Sequence, residues 1–461
     1  METTGLNASA AADHLCVLVH GLWGNPKHLG YLASALRERY PQDVLHVLVA
    51  KRNSGSFTYD GIETGAERVT QEIEDTIEEL ARNGQTIKKL SIVGYSLGGL
   101  VARYVVGLLY SKGWFDKLEP VNFTTFATPH LGVRTPLTGF HNHVWNILGA
   151  RTLSTSGRQL FTIDSFRDTG RPLLAVLADP SSIFIKALAS FKHRSLYSNI
   201  TNDRSAVFYT TCISKTDPFV DLSAIKLNYL PGYQDVLVDP DNPLSPKPSE
   251  SDLPLYHRIS ATTRNTLSKI PLFAALVVFI PLGVTAFLIN SGIQSIRSAQ
   301  RIRLHEAGLG AGHYRIPLLI EDARRMGEGV YEGFGGAQSQ EYLPAGSEET
   351  SSPLSFSRKR SHRSDSMASE STEKLLGTGG NDSNTQLPNS LHSRPLDFPT
   401  LALTKDQFDM VDALDEVGWR KYPVHIHKVG HTHAAIIVRM NRKSFAEGKI
   451  VVGHWLDEFD I

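Results

Sequence analysis

Ser96 stands in Gly94-Tyr95-Ser96-Leu97-Gly98, directly after the apolar run Leu90-Ser91-Ile92-Val93 and at the head of the periodic stretch Leu97–Tyr110. Alone, a G-x-S-x-G pattern is a weak signal, and a helix N-cap serine after a glycine turn would produce it too. Its position between a buried strand and a helix is what a serine nucleophile requires. The turn there is so sharp that the serine must take a strained backbone conformation, and the flanking glycines remove the resulting clashes. The hydroxyl then projects above the carboxyl ends of the strands, where open α/β sheets place their ligands. A serine attacking a carbonyl also needs donors for the oxyanion it creates. The Leu97 N–H, at the start of the helix, is the natural first donor. The second is expected from the loop His20-Gly21-Leu22-Trp23-Gly24 after the run Leu15–Val19, with the Leu22 N–H as the choice.

Such a serine needs a base and an acid, which this kind of fold presents in the chain order Ser, acid, His. Two aspartates follow strand-like runs. Asp203 comes after Ser195–Ile200 and is preferred; Asp217 comes after Val207–Ile213, read as a further strand, and is the alternative. Either could instead be a turn-capping carboxylate. Near the C-terminus His425, His427, His431 and His433 crowd together. His425 and His427 alternate in a strand-like Val424–Val429, which makes them structural. His431 and His433 fall in the loop beyond it, and His433 is chosen as the base, with His431 as the alternative. No Cys or acidic residue is spaced to complete a metal site around these histidines, so neither metal nor cofactor is expected.

The elements that must position these groups alternate. Short apolar runs at Leu15–Val19, Val44–Val49, Leu90–Val93 and Val121–Phe126 are separated by helical patterns at Leu29–Tyr40, Gly65–Ala81 and Leu97–Tyr110. That alternation predicts an α/β fold with a mostly parallel sheet and helices on both faces. With 41% hydrophobic and 20% charged residues and a formal net charge of +0, the chain has the composition of a globular protein and no bias toward nucleic acid. Cys16 and Cys212 are the only cysteines and read as small core residues, so a reducing compartment fits. Met1–Asp13 has neither a basic n-region nor an apolar h-region, which argues against a secretory signal and for the cytosolic side.

Leu272–Ile289 is apolar and carries no charge. A single bilayer crossing would put His433 on the opposite side from Ser96, and no second comparable stretch brings the chain back. Two readings remain, a helix buried in the core and a bent segment entering one leaflet or a lipid monolayer, and Pro281 in its middle favours the second. Arg258, Arg264 and Lys269 before it and Arg297, Arg301 and Arg303 after it stand where anionic headgroups would be. Residues 338–400 are dominated by Ser, Gly and Asn and are too poor in apolar residues to fold alone. The expected organisation is therefore a catalytic core over 1–235, a linker and membrane-associating insertion over 236–337, a disordered loop over 338–400, and completion of the core over 401–461.

Taken together these residues resemble the eukaryotic serine esterase family of lipases, nearest its fungal lipid-droplet phospholipase branch. The likeness is carried by His20-Gly21-Leu22-Trp23-Gly24-Asn25-Pro26, Tyr59-Asp60-Gly61-Ile62, Gly94-Tyr95-Ser96-Leu97-Gly98-Gly99 and Ala127-Thr128-Pro129-His130-Leu131-Gly132. The Asn202-Asp203 loop and Gly430-His431-Thr432-His433 continue it. Val207-Phe208 departs from it, since the family loop often has Val-Pro after the acid. The resemblance implies an α/β-hydrolase fold and hydrolysis of glycerophospholipid acyl esters at the cytosolic face of a lipid droplet or endoplasmic reticulum membrane. It carries Ser96, Asp203 and His433 over as the triad and leaves His130 a structural support. A neutral mono- or triacylglycerol lipase and a catalytically silent lipid-surface adaptor are the alternatives.

Overall fold

The computed structural model describes residues 12–134, 154–203, 205–233, 235–246, 292–305 and 398–461. The apolar stretch Leu272–Ile289 and residues 338–397 lie outside the described residues. Six parallel strands form one sheet in the order β2-β1-β3-β4-β5-β8: β1 is His14–Val19, β2 Leu45–Val49, β3 Lys89–Tyr95, β4 Glu119–Phe126, β5 His193–Asn199 and β8 Arg420–Val424. Between β5 and β8 a small antiparallel pair, β6 (Ile225–Leu227) and β7 (Leu244–Pro246), stands apart from it. The sheet has the mostly parallel α/β architecture that the alternating pattern predicts.

Every residue of β1 is buried, because the sheet is covered on both sides. Leu15, Val17 and Val19 face one apolar core with helices α2 (Ile62–Arg82) and α3 (Leu97–Ser111). Cys16 and Leu18 face the other, with α1 (Gly30–Arg39) and the helix Ala446–Asp457. Strands buried on both faces read as continuous apolar runs rather than alternation. The chain runs from β1 outward to β2, then returns past β1 to β3. The strand order therefore reverses between β1 and β3, the topological switch point where open α/β sheets bind ligands. Ser96 follows β3 and His20-Gly21-Leu22 follows β1, so both loops flank that crevice. On the far side an aromatic row locks the last strand on: Phe126 stacks on Tyr197 at 4.9 Å, and Tyr197 on Tyr422 at 5.0 Å.

Three sequence expectations are corrected. Val207–Ile213 is not a strand; Phe208–Thr211 is a single helical turn. A short β-branched and aromatic run fits either state, and here Thr210 turns inward, its hydroxyl donating to Gly132 O and accepting from Leu131 N. Val424–Val429 is not a strand either, since β8 ends at Val424. Beyond it the backbone finds no sheet neighbour: His425 N donates to Val236 O, and His427 N and Lys428 N donate to the buried Glu447 carboxylate. Arg301 is not a free headgroup cation. Residues 292–305 are helical, and from them Arg301 makes a two-atom contact with the Asp60 carboxylate. Asp60 is fully buried and also accepts from Arg68.

Candidate active site

The geometry around Ser96 follows from three close approaches. Ser96 has φ 55° and ψ −128°, a strained conformation for a residue with a side chain. A Cβ on Gly98 would lie 2.2 Å from Val19 O, and one on Gly94 would lie 2.3 Å from Gly99 Cα. Only glycines let β1, β3 and α3 meet this tightly. The third approach is Gly21, where a methyl would lie 2.8 Å from Ser96 Cβ and 3.3 Å from its Oγ. The loop after β1 is thus pressed against the serine.

That placement puts the two expected donors on the segments next to Ser96, Leu22 after Gly21 and Leu97 after the serine itself. Leu97 is the first residue of α3, so its N–H is one of the helix's unpaired donors. Among the described residues neither the Leu97 N–H nor the Leu22 N–H has a hydrogen-bond partner. The loop itself is rigidly held. Trp23 N donates to Thr58 Oγ1 at 3.0 Å, the Trp23 indole donates to Tyr59 Oη at 2.6 Å, and the buried His20 ring lies 3.1 Å from Ser54 Oγ.

The structure brings Ser96, His433 and Asp203 into one relay. His433 Nε2 lies 3.0 Å from Ser96 Oγ, and His433 Nδ1 lies 2.8 Å from Asp203 Oδ2. Asp203 is held on a left-handed turn at Asn202 (φ 57°) just beyond β5, a conformation that asparagine tolerates. Its Oδ1 accepts from Ser205 N and Ala206 N, and its Oδ2 accepts from Asn199 Nδ2 as well as facing His433. Burial would raise this carboxyl, but the charge of His433 and the hydrogen bonds from His433, Ala206 and Asn199 outweigh it and hold it below the usual carboxylate range. An ionised carboxylate on Nδ1 fixes that nitrogen as the N–H, leaving Nε2 free to take the serine proton.

His433 sits not in a loop, as expected from sequence, but in the short helix Thr432–Ala435. Its ring lies 5.2 Å from that of Tyr95, and Tyr95 Oη donates to the His433 carbonyl at 2.9 Å. Burial pushes the Tyr95 phenol up, so it stays protonated as a donor. The remaining candidates are placed elsewhere. Asp217 accepts from Phe219 N in a turn of its own. His431 is exposed on the rim. His425 pairs with Tyr229 Oη, and His427 with Glu447. His130 is fully buried against Thr125 Oγ1 and Trp419, with burial holding its imidazole well below the usual histidine range. Sequence reasoning passed over Tyr95, although it lies inside the G-x-S-x-G pattern, and Asn199, the last residue of β5.

Residues 9–216 match the family described as Putative serine esterase. That match takes in somewhat less than half of the chain and is a likeness to this family carried by its N-terminal part. Curated relatives point the same way. A protein named putative lipase C4A8.10 from Schizosaccharomyces pombe is 31% identical over 209 residues, covering 44% of this chain and 26% of that one. Putative lipase ROG1 from Saccharomyces cerevisiae is 30% identical over 206 residues, 43% of this chain and 28% of that one. Putative lipase YDL109C, also from Saccharomyces cerevisiae, is 30% identical over 252 residues, covering 52% and 36%. The chain spans only about a quarter to a third of the length of these relatives. Each is named a putative lipase, and the family match covers Ser96 and Asp203 but ends far short of His433. Among the described residues no group of His, Cys, Asp and Glu is arranged to hold a metal ion, and no helix is long and apolar enough to cross a membrane.

Proposed function

We propose that the protein hydrolyses carboxylic esters of lipids through an acyl-enzyme on Ser96, and that its substrates are glycerophospholipids. The observation that carries this reading is the relay Ser96–His433–Asp203 with the unpaired N–H groups of Leu22 and Leu97 beside it. His433 Nε2 takes the hydroxyl proton as Ser96 Oγ bonds to the ester carbon, and the carbonyl oxygen becomes an oxyanion facing the two N–H groups. As the tetrahedral centre collapses, the C–O bond to the alcohol breaks and the proton on Nε2 passes to the leaving oxygen. Water then repeats the sequence against the acyl-serine and releases the fatty acid. Asp203 stabilises the imidazolium that forms in each half.

The lipid character of the substrate is supported by the apolar stretch Leu272–Ile289 and by exposed apolar side chains nearer the site. Trp23, on the loop against Ser96, is 51% exposed, and Ile293, Ile296 and Leu304 stand outward from the helix that follows the apolar stretch. Apolar side chains held out in water favour contact with another apolar phase. This reading places the protein on the cytosolic face of a lipid droplet or of the endoplasmic reticulum, with Leu272–Ile289 in the lipid. The test is purified protein on phosphatidylcholine vesicles and on emulsified mono- and triacylglycerol. Fatty acid release from the phospholipid is expected, with Ser96→Ala abolishing it while vesicle binding persists. Activity retained in that variant would refute the nucleophile, and release from acylglycerol alone would refute the substrate class.

A further inference from the structure

A cleft of about 330 Å³ opens beside the imidazole of His433, lined among others by Asn202, Ser205, His431, Arg439 and Arg442. No carboxylate lines it. Among the described residues neither Arg439 nor Arg442 has an ion-pair partner. Two guanidinium groups with no carboxylate beside them in the cleft, Arg439 next to the Tyr95 phenol, suit an anion.

The direction of the chemistry says which part of a substrate enters it. The imidazole that accepts the serine proton hands it to the leaving oxygen, so the leaving alcohol must lie on the His433 side of Ser96. The oxyanion lies toward Leu22 and Leu97 instead. The cleft is on the His433 side, and Ser96 is not among its lining residues. Whatever fills it is therefore attached to the alcohol rather than to the acyl chain. In a glycerophospholipid that alcohol carries a phosphodiester on the carbon next to the sn-2 ester and two carbons from the sn-1 ester.

We propose that Arg439 and Arg442 bind the phosphate of the leaving alcohol, with the side chains of Asn202, Ser205 and His431 offering further hydrogen-bonding groups. The site selects phosphorylated glycerol esters over neutral ones without touching the acyl chain. This rests on the ester-hydrolase reading above and gives its substrate class a physical basis. No spacing signal marks it, since both arginines lie in an irregular stretch after the base.

The test compares two water-soluble esters with the same acyl chains, dihexanoyl phosphatidylcholine and dihexanoylglycerol, on wild type, Arg439→Gln, Arg442→Gln and the double variant. Loss of charge-assisted phosphate contacts predicts that kcat/KM on the phospholipid falls by about 10-fold for each variant and by about 100-fold for the double. On dihexanoylglycerol it changes by less than about threefold. Arg442 is exposed, so Arg442→Glu folds regardless and extends the series by charge reversal. Equal losses on both esters, or no loss on either, would overturn the site. Calorimetry with glycerol 3-phosphate separates the site from the reading beneath it. Saturable binding to wild type that the double variant lacks supports the site even if neither ester is cleaved, and absence of saturable binding overturns it. A wild type inert toward both esters would sink the hydrolase reading alone.

Discussion

Asp203→Asn exchanges one oxygen for an NH₂ and inverts the hydrogen-bond logic of the site. Asp203 Oδ1 accepts from Ser205 N and Ala206 N at 3.0 and 2.9 Å, and Oδ2 faces Asn199 Nδ2 and His433 Nδ1 at 2.9 and 2.8 Å. All four partners are donors. In the variant the two backbone N–H groups retain the amide oxygen, so the NH₂ takes the Oδ2 position and confronts two donors. The imidazole relieves the conflict by moving its proton from Nδ1 to Nε2. Nε2 then points an N–H at Ser96 Oγ and accepts nothing. The negative charge opposite the imidazolium is lost as well. In a relay of this type the two effects together cost a factor of about 10⁴ in kcat, or roughly 5 kcal/mol of barrier. The assay is steady-state hydrolysis of p-nitrophenyl butyrate, with fluorophosphonate labelling of Ser96 followed in parallel and Tm as the check on folding. Asp217→Asn serves as the comparison and is expected to leave kcat unchanged, because Asp217 caps a separate turn. A folded Asp203→Asn protein keeping more than about a tenth of wild-type kcat, or an Asp217→Asn protein losing as much, would refute the assigned acid.

Two predictions concern stability. Burial, with Lys89 adding to it, lowers the His14 imidazole from 6.5 to about 4, and the side chain is fully buried. Ser91 Oγ already accepts from Asn122, so its hydroxyl is free to donate to a neutral His14 Nε2, 2.8 Å away. Because the folded value lies below the unfolded one, the unfolded chain takes up the proton first. The contribution of about 3 kcal/mol is complete above the unfolded value and is lost progressively as pH falls toward 4. His14→Gln should flatten urea-unfolding stability across that window, and an unchanged slope would contradict the burial argument. Asp60→Asn leaves Arg68 and Arg301 against a neutral group and is expected to cost about 3–5 kcal/mol in denaturant titrations. A loss below about 1 kcal/mol would show that the helix over 292–305 is not held through Asp60.

The parts of this fold that were legible from sequence are those written in continuous local pattern. Leu15–Val19 and Leu90–Val93 are strands buried on both faces and read as such, and the glycines around Ser96 announce a tight turn. Local pattern failed where a segment was short or its partners remote. Val207–Ile213 has strand-like residues, but Thr210 bonds to Leu131 and Gly132, and one helical turn results. Had that turn been visible, Asp217 would have lost its strand and its candidacy. The Arg301–Asp60 contact joins residues 241 apart in sequence, and neither side chain carries a mark of the other. Arg439 and Arg442 gain their meaning only when the fold sets them beside His433. A charge on an irregular segment has no periodicity to read.

The place of β8 has a consequence for how the protein is born. Strands β1 to β5 are already neighbours without it, and β8 adds to the outer edge of β5 rather than inserting between them. As the chain leaves the ribosome, the bent serine and its glycine cradle can assemble while His433 is still unmade. Until the final segment docks, the nascent protein holds a nucleophile that has no way to shed its proton. On the proposed chemistry, a half-made chain would leave the ester bonds of the cell untouched.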